Sequence, residues 1–313
     1  MAINTLEFCE KLTGELDKLF VQGPVTGFFA DNVLRSKFVG AKTVLLPEME
    51  LSGLGDYDRD TGFIKGTITV SNQPYTLSMD RARSFQLDRE DEDETGIANL
   101  AGQVLGEFVR TRVVPEVDAY CLSKLAGLAV TKNHTVSGTP ATEAFKMFNE
   151  ACAAVQNEVG FDEPLVCFVN PTMWAAIQSS PELSRQISVT EFKKGGVYYE
   201  VKTINGIPLL PVADNRMKSA YTFYDGSTVT KDEDGQVVLD ESVGGFEPAK
   251  NAQSIGMLIL PKKAASLVKK TERVRTFDPS QNQAADAYKF DYRTYYDLIV
   301  KNSAADSIYA YVY

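Results

Sequence analysis

The stretch VLLPEMEL-SGLGDYDRDTG-FIKGTITV (residues 44–70) predicts two strands, Val44–Leu51 and Phe63–Val70, joined by a tip rich in glycine and aspartate. In the second strand, isoleucine and valine share one face while lysine and threonine occupy the other, so only one side is apolar. A two-stranded hairpin alone is marginally stable in water. The pattern therefore predicts a long hairpin that needs another surface to lie on, which its own chain need not supply.

An arginine pair and a run of carboxylates follow the hairpin. The pair is Arg81 and Arg83, and the run is DREDEDE over residues 88–94. Apolar residues at three-and-four spacing then predict a helix from Glu94 to Ala129. Negative charge is stabilised at a helix N-terminus, so we interpret the run as the start of this helix. The surplus charge faces either the arginine pair or basic groups of a neighbouring subunit.

Pro115 lies well inside the predicted helix. A proline in a helix interior removes a backbone hydrogen bond and clashes with the preceding turn. We therefore predict a helix kink at Pro115, with a bend or break near Arg112.

Composition limits the class of protein. The chain has 313 residues, 44% of them hydrophobic, and a net charge of −10. The acidic balance argues against a sequence-independent nucleic-acid binder, although it does not exclude a protein that encloses nucleic acid. No apolar run approaches the roughly 20 residues of a membrane span, and the charged N-terminus does not match a signal peptide. The four cysteines show no close pairing pattern, which favours a reducing cytoplasm.

The remaining regions predict a mixed α+β fold. Residues 1–35 indicate an amphipathic arm. Helix and strand patterns alternate from about Val130 to Leu260, including short strands at Leu165–Val169 and Tyr221–Tyr224. In the tyrosine-rich C-terminus, aromatic and apolar residues alternate with polar ones, which is typical of half-buried strands.

The sequence offers little catalytic chemistry. His134 is the one histidine, which excludes two-histidine metal motifs and the usual serine hydrolase base. Residues 230–241 resemble a calcium loop at several positions, but threonine stands at the first, and strand-like runs flank the loop. Asp-Gly between such runs favours a hairpin. We therefore predict neither catalytic residues nor a metal or cofactor site.

The order of these features resembles the major capsid proteins of tailed bacteriophages, which share the Hong Kong 97-like capsid fold. The resemblance spans nearly the whole chain and depends on the hairpin, the acidic run into the long helix and several short motifs. These motifs are FADN (29–32) with residues 33–38, RARSF (81–85), NGIP (205–208) and YRTYYD (292–297).

In that family, an N-terminal arm leads to an extended loop, a spine helix crosses a peripheral domain, and an axial domain surrounds the symmetry axes. The resemblance assigns the arm to residues 1–40, the extended β-hairpin loop to residues 41–80 and the axial domain to residues 130–260. The peripheral domain, with its spine helix, then combines residues 81–129 with residues 261–313.

The resemblance implies a structural protein and not an enzyme. Its copies are expected to self-assemble as pentamers and hexamers into an icosahedral phage head that encloses double-stranded DNA without sequence-specific binding. Such a virion shell is assembled in the cytoplasm of the bacterial host. Separate scaffold, portal and decoration proteins are candidate partners, and no membrane association is expected.

The resemblance also implies that the extended loop reaches over an adjacent subunit. Some family members join this loop to the neighbour by an isopeptide bond from a lysine. The one lysine in the hairpin stretch 44–70, Lys65, is predicted in the second strand, away from the tip, so we expect charge and sheet contacts without a covalent bond. The predicted inter-subunit contacts are Asp56, Asp58, Arg59, Asp60, Arg81, Arg83, Asp88, Glu90, Asp91 and Glu92.

Two alternatives stay open. Encapsulin-like nanocompartment shells resemble the same family and enclose cargo enzymes. A second alternative is an α+β enzyme that uses the carboxylates of residues 88–94. Replacing Glu90 and Glu92 with glutamine tests it, because lost turnover with intact assembly would contradict a purely structural role for the run.

Overall fold

The computed structural model describes residues 25–30, 37–39, 42–60, 62–88, 105–180, 187–194, 197–226, 228–231, 237–240, 244–283 and 285–313. The predicted arm up to residue 24 and the acidic run after Asp88 lie outside these ranges.

Strands make up most of the regular structure. They are β1 (Lys37–Val39), β2 (Thr43–Leu51), β3 (Ile68–Thr76), β4 (Met79–Asp88), β5 (Leu165–Val169), β6 (Ile187–Lys194), β7 (Val197–Ile204), β8 (Ile207–Pro211), β9 (Tyr221–Tyr224), β10 (Thr228–Lys231), β11 (Val237–Asp240), β12 (Gly245–Pro248), β13 (Ile255–Pro261), β14 (Ala265–Phe277), β15 (Ala287–Val300) and β16 (Tyr309–Val312). The α-helices are α1 (Val114–Thr131), α2 (Pro140–Val159), α3 (Pro171–Ser179) and α4 (Asn302–Ala305), with a π-helical segment at Val109–Val113 and 3-10 turns at Gly27–Ala30 and Asp214–Arg216.

In the described residues the strands form three larger sheets and two two-stranded sheets. The six-stranded sheet has the order β16-β13-β5-β8-β7-β6, with β5 and β8 parallel. The three-stranded sheets are β1-β2-β3 and β14-β15-β4, and the two-stranded sheets are the hairpin β10-β11 and the strand pair β12-β9. The strand pair β10-β11 confirms the hairpin interpretation of this region over a helix-flanked calcium loop.

The long hairpin extends further along the chain than the sequence predicted. Its first strand, β2, agrees, but its second strand is β3 and not Phe63–Val70. Leu51 lies opposite Ile68, so the described residues between 52 and 67 form the loop at the tip. The polar run at 71–76 gave no alternating signal because most of β3 is exposed on both faces. Pro74 is tolerated because β3 is an edge strand.

The long helix is confirmed over its described part, residues 105–131. It passes Arg112 without a break, because residues 109–113 continue it as a π-helix and Pro115 falls at the start of α1. A π-helical segment is a recognised way for a helix to absorb a local disruption. The helix is therefore continuous at Arg112, and the predicted kink stays a prediction.

The C-terminal strands divide between two sheets. As the alternation predicted, β15 is a strand, and it lies between β14 and β4. The last strand, β16, instead pairs with β13 in the six-stranded sheet. The end of the chain was assigned to the peripheral domain with residues 261–313. It pairs instead with a sheet of the region assigned to the axial domain, residues 130–260. The physical reason is that β13 is buried along its whole length and needs pairing partners on both edges.

The main core lies between the long helix and these sheets. Phe28 and Phe29 are fully buried in it, and their rings lie 5.9 and 6.1 Å from that of Phe168. Residues 25–30, assigned by sequence to the arm, are thus part of the core. None of the described helices is both long and apolar enough to span a membrane.

Candidate assembly surfaces

The base of the long hairpin is anchored in its own chain. Val44, Leu46 and Leu77 pack with Tyr295 and Ile299 of β15 in a small buried cluster. Burial along β2 stops at Leu46. The hairpin therefore has a fixed base and a distal part that its own core does not cover.

One face of this distal part is apolar and exposed. Met49 lies opposite Val70, and Leu51 lies opposite Ile68. Because side chains alternate along a strand, these four residues share one face, which we call the hairpin face. Met49, Val70, Leu51 and Ile68 are 62%, 64%, 62% and 71% exposed. A contiguous exposed apolar surface of this kind is typical of an interaction site.

The loop segment 56–60 beyond the hairpin face is acidic and exposed. The Asp60 amide donates to Oδ1 of Asp58 at 2.8 Å, and Asp58 pairs with Gly62, whose φ of +81° favours glycine. The rings of Tyr57 and Phe63 meet edge to face, with centroids 5.0 Å apart. The structure thus brings together four predicted contact residues. These are Asp56, Asp58, Arg59 and Asp60, and we call the loop segment 56–60 the acidic tip.

Lys65 belongs to the exposed tip loop and not to a strand, contrary to the sequence expectation. The second strand begins at Ile68, later than predicted, and every residue from 63 to 67 is loop. The absence of a covalent bond from Lys65 stays a prediction.

Arg81 has its partners within the chain. Its Nε and Nη2 donate to the Glu116 carboxylate at 2.6 and 3.2 Å. Nη1 donates to the carbonyl of Tyr224 at 2.6 Å, and Nη2 to that of Gly245 at 3.1 Å. One guanidinium thus connects β4, α1 and the β12-β9 strand pair. Its charge is satisfied by partners within the chain, and its contact between subunits stays a prediction.

A cavity of about 410 Å³ lies beside this arginine, between β4, the long helix and the β12-β9 strand pair. Basic and aromatic side chains line it, among them Arg83, Arg112, Phe85 and Phe108. The predicted contact residue Arg83 therefore faces this cavity. Asp88 ends β4 opposite Ala287, and Glu90, Asp91 and Glu92 lie outside the described residues.

Sequence reasoning missed two buried carboxylates that fix the segments leading to the exposed parts. Asp118 of α1 is fully buried and accepts hydrogen bonds from the amides of Val25 and Thr26, each at 3.0 Å. The Thr26 hydroxyl donates to it at 2.7 Å and Arg216 Nη1 at 2.9 Å. The signal was a lone aspartate among the apolar positions of the long helix.

Asp297 of β15 is the second buried carboxylate. It accepts from the amide and hydroxyl of Ser78, both at 3.0 Å, just after the hairpin. Tyr120 and Lys124 of α1 donate to its other oxygen at 2.6 and 2.5 Å. Burial, together with the hydrogen bond to Asp297, raises the pKa of Tyr120, whose hydroxyl therefore remains a donor.

The described residues show no arrangement that suggests catalysis. No group of three or more metal-ligating side chains occurs among them. Cys121, Cys152 and Cys167 are buried, and burial raises the pKa of the Cys152 thiol to about 12, so it is a poor nucleophile. His134 stacks on Tyr309 with ring centroids 4.6 Å apart. The distinctive features of the described residues are thus the exposed hairpin surfaces and the two buried carboxylates that anchor them.

No family model matches the sequence, and none of the curated proteins is significantly similar to it. Its fold is nevertheless shared with solved phage capsids. The asymmetric unit of the bacteriophage PhiM1 mature capsid has a TM-score of 0.55 at 12% identity, over 87% of this chain and 82% of that chain. The capsid of cyanophage P-SCSP1u has a TM-score of 0.55 at 13% identity, over 88% of this chain and 84% of that chain.

A virus-like particle from Pyrococcus furiosus also shares the fold. Its crystal structure has a TM-score of 0.52 at 10% identity, over 97% of this chain and 99% of that chain. The chain therefore has an α+β, capsid-like fold, as the order of its sequence features indicated.

Proposed function

We propose that this chain is the major capsid protein of a tailed bacteriophage. Its copies assemble as pentamers and hexamers into an icosahedral head that encloses double-stranded DNA. The observation that supports this best is the hairpin face, where four large apolar side chains are exposed on an element outside its own core. In a fold shared with phage capsids, a second copy is the surface that covers this face.

The parts of the fold have corresponding roles in this proposal. The β2-β3 hairpin is the extended loop, the helix at 105–131 is the spine, and the sheets containing β15 and β13 belong to the peripheral and axial domains. The shell assembles in the host cytoplasm, with scaffold, portal and decoration proteins as further partners. A net charge of −10 keeps the protein from binding packaged DNA tightly.

Burial of the hairpin face supplies the driving force. Full burial of one large apolar side chain contributes about 1.5–3 kcal/mol, at roughly 25 cal/mol per Å². Association itself opposes this gain through lost translational and rotational freedom. Each hairpin contact is therefore weak alone, and a closed shell gains its stability because every subunit makes several contacts at once.

Replacing Leu51 and Ile68 with serine is expected to abolish particle formation while the subunit still folds. The two residues lie opposite each other on the hairpin face and are exposed within the subunit, so the change removes apolar area only from an interface. Sedimentation velocity measures assembly, and circular dichroism measures folding.

The matched control for this variant changes Glu50 to glutamine and Thr69 to serine. These residues form the next rung of the same hairpin and point to its other face. The control is expected to assemble normally. Normal particles from the Leu51 and Ile68 variant would contradict a role for the hairpin face in assembly.

An encapsulin-like shell that encloses cargo proteins is the second candidate, because the Pyrococcus virus-like particle shares the fold over nearly the whole chain. Electron microscopy of particles purified from the natural host distinguishes the two. DNA-filled heads with a tail vertex support the phage head, and protein-filled, tailless shells support the compartment.

A further inference from the structure

We infer that the outer edge of β3 pairs with the same edge of a second copy, as two antiparallel strands related by a two-fold axis. The inference rests on the proposed function, which makes copies of this chain neighbours in a shell, and an icosahedral shell contains two-fold axes. It adds one particular contact to that function. A sheet continues from one subunit into the next through the distal half of β3.

The outer edge of β3 has backbone groups that are able to pair. In an antiparallel ladder, alternate residues bond to the neighbouring strand, and the residues between them point away from it. The Leu77 amide donates to the carbonyl of Lys42 at 2.9 Å, and the Ser52 amide donates to that of Thr67 at 3.1 Å. The odd-numbered residues of β3 therefore face β2, and the even-numbered residues face outward. No described strand pairs with this outer side.

Pro74 agrees with this alternation and sets the length of the open edge. A proline is tolerated in an edge strand where its missing N–H would point to solvent. Pro74 is an even-numbered residue, so the ladder to β2 loses no donor there. Toward the tip, Ile68, Val70 and Asn72 each offer an outward N–H and C=O. The open edge therefore covers residues 68–72 and ends at Pro74.

This edge lacks the charged side chains that protect other sheet edges. Natural proteins protect exposed edges with charges, especially lysine, or cover them. The other described edge strands of eight or more residues all contain charged residues, such as Arg81 in β4, Lys193 in β6 and Lys269 in β14. The sequence of β3, ITVSNQPYT, contains none. An exposed, uncharged edge with β-branched residues is typical of a strand that pairs with another chain.

A second β3 is the partner that fits this edge. A register centred on Val70 places Val70 opposite Val70 of the partner subunit, and Ile68 opposite Asn72 of the partner subunit. Each pair of opposite residues then exchanges two hydrogen bonds, which satisfies every outward group of residues 68–72. A register displaced toward the base places Pro74 opposite Ile68 and leaves the Ile68 carbonyl without a donor. Since the edge is uncharged, no like charges meet when it faces itself.

The pairing also unites the hairpin faces of the two copies. Opposite residues of an antiparallel pair point to the same side of the sheet. Because Ile68 and Val70 belong to the hairpin face, the two hairpin faces lie on one side of the shared sheet. The other side carries Glu48 and Glu50 of β2 and stays polar. The apolar area that can lie on further subunits is thus doubled and contiguous, as expected of an interaction surface.

Disulfide crosslinking tests the pairing. In the Val70→Cys variant, the two introduced cysteines lie opposite each other with Cα atoms roughly 5.5 Å apart, within the range that a disulfide bridges. The matched control is Met49→Cys. Met49 lies opposite Val70 on the hairpin face and is similarly exposed, at 62% against 64%. It lies on β2, however, so about three strand spacings of roughly 4.8 Å separate its two copies.

Assembled particles are oxidised with copper phenanthroline, and non-reducing gels measure the fraction of subunits in disulfide dimers. More than about half of the Val70→Cys subunits and less than about one tenth of the Met49→Cys subunits are expected to form dimers. Wild type measures the background from Cys9, since Cys121, Cys152 and Cys167 are buried. Mass spectrometry of the dimer identifies the bonded residues.

Two proline variants provide a test that does not use cysteine. Asn72→Pro removes an outward N–H from the open edge, whereas its matched control Thr76→Pro removes one on the other side of Pro74, outside the pairing. Neither residue donates to β2, so the hairpin keeps its own ladder. The lowest protein concentration at which particles form, measured by light scattering, is expected to rise about tenfold for Asn72→Pro and to stay within about threefold of wild type for Thr76→Pro.

The outcomes separate this inference from the proposed function. If wild type forms particles but Val70→Cys gives no more dimer than Met49→Cys, or Asn72→Pro assembles as well as Thr76→Pro, the edge pairing is overturned and the capsid function stands. Circular dichroism checks folding, and crosslinking alone decides if a proline variant misfolds. A disulfide between position 70 and Cys9 would assign the edge to residues 1–24 and also overturn the pairing. A wild-type protein that forms no particles overturns both.

Discussion

Replacing Asp118 with alanine is expected to lower the free energy of unfolding by about 3–5 kcal/mol. The change removes the acceptor for Arg216 and for the amides of Val25 and Thr26, in a site where the Asp118 side chain has no solvent exposure. The Nε of Arg216 is buried and has no hydrogen-bond partner among the described residues, so little there remains to compensate the charge of Arg216 once Asp118 is lost. At roughly 2.1 cal/mol/K per residue, the midpoint of thermal unfolding falls by about 5–8 °C.

Asp214→Ala is the control for this prediction. Asp214 pairs with Lys218 at 2.6 Å close to the same loop, but its side chain is 52% exposed. An exposed pair contributes at most about 1 kcal/mol. Calorimetry on both variants in the same assembly state checks the difference. Equal unfolding midpoints for the two variants would show that the hydrogen bonds to Asp118 do not hold residues 25–30 in the core.

Replacing Asp297 with alanine is expected to destabilise the protein by about 3 kcal/mol, near the lower end for a broken buried pair, because Lys124 is partly exposed. The loss also leaves the hydroxyl of Tyr120 and the amide of Ser78 without their acceptor. Since Ser78 directly follows the hairpin base, the change loosens the element that we propose to lie on a neighbouring subunit. Assembly is therefore expected to weaken together with stability.

Hydrogen exchange monitored by mass spectrometry checks this second prediction. Faster exchange is expected in peptides that cover β3 and the start of β4, with little change in α2. Asp291→Ala is the control, because Asp291 lies on the same strand, accepts from Ser84 and is about one-third exposed. Unchanged exchange at the hairpin base in the Asp297 variant would contradict an anchoring role for this carboxylate.

Asp118 and Asp297 act in the same way on two different segments. Asp118 belongs to the long helix and binds Thr26, where the chain enters the core. Asp297 accepts hydrogen bonds from Tyr120 and Lys124 of the long helix, and it also binds Ser78, where the chain leaves the hairpin. Charged groups are rarely buried unless they are paired, and four donors around each carboxylate satisfy that requirement. The exposed parts of the chain thus start from fixed points.

Elements with a strong local signal could be predicted from the sequence. The strands Leu165–Val169 and Tyr221–Tyr224 have the expected bounds, because short apolar or aromatic runs between turn signals leave few alternatives. The long helix also agrees over its described part. The acidic tip was found because aspartate and glycine mark a turn whatever the tertiary context.

Features set by tertiary contacts were not predictable in this way. The bounds of β3 depend on its register against β2, and the polar run at 71–76 forms a strand because Leu51 and Ile68 align the pair. The placement of β16 depends on the free edge of β13. Arg81 appeared to be a surface charge, since nothing near it in sequence indicates Glu116 or the carbonyl of Tyr224.

The most direct test of the proposed function is the mass of the recombinant wild-type protein in solution, measured by light scattering across protein concentrations and ionic strengths. We expect closed particles of many subunits, each of 34.5 kDa, with capsomer-sized species at lower concentration. A monomer of 34.5 kDa that persists under all of these conditions would contradict the proposal that this chain builds a capsid.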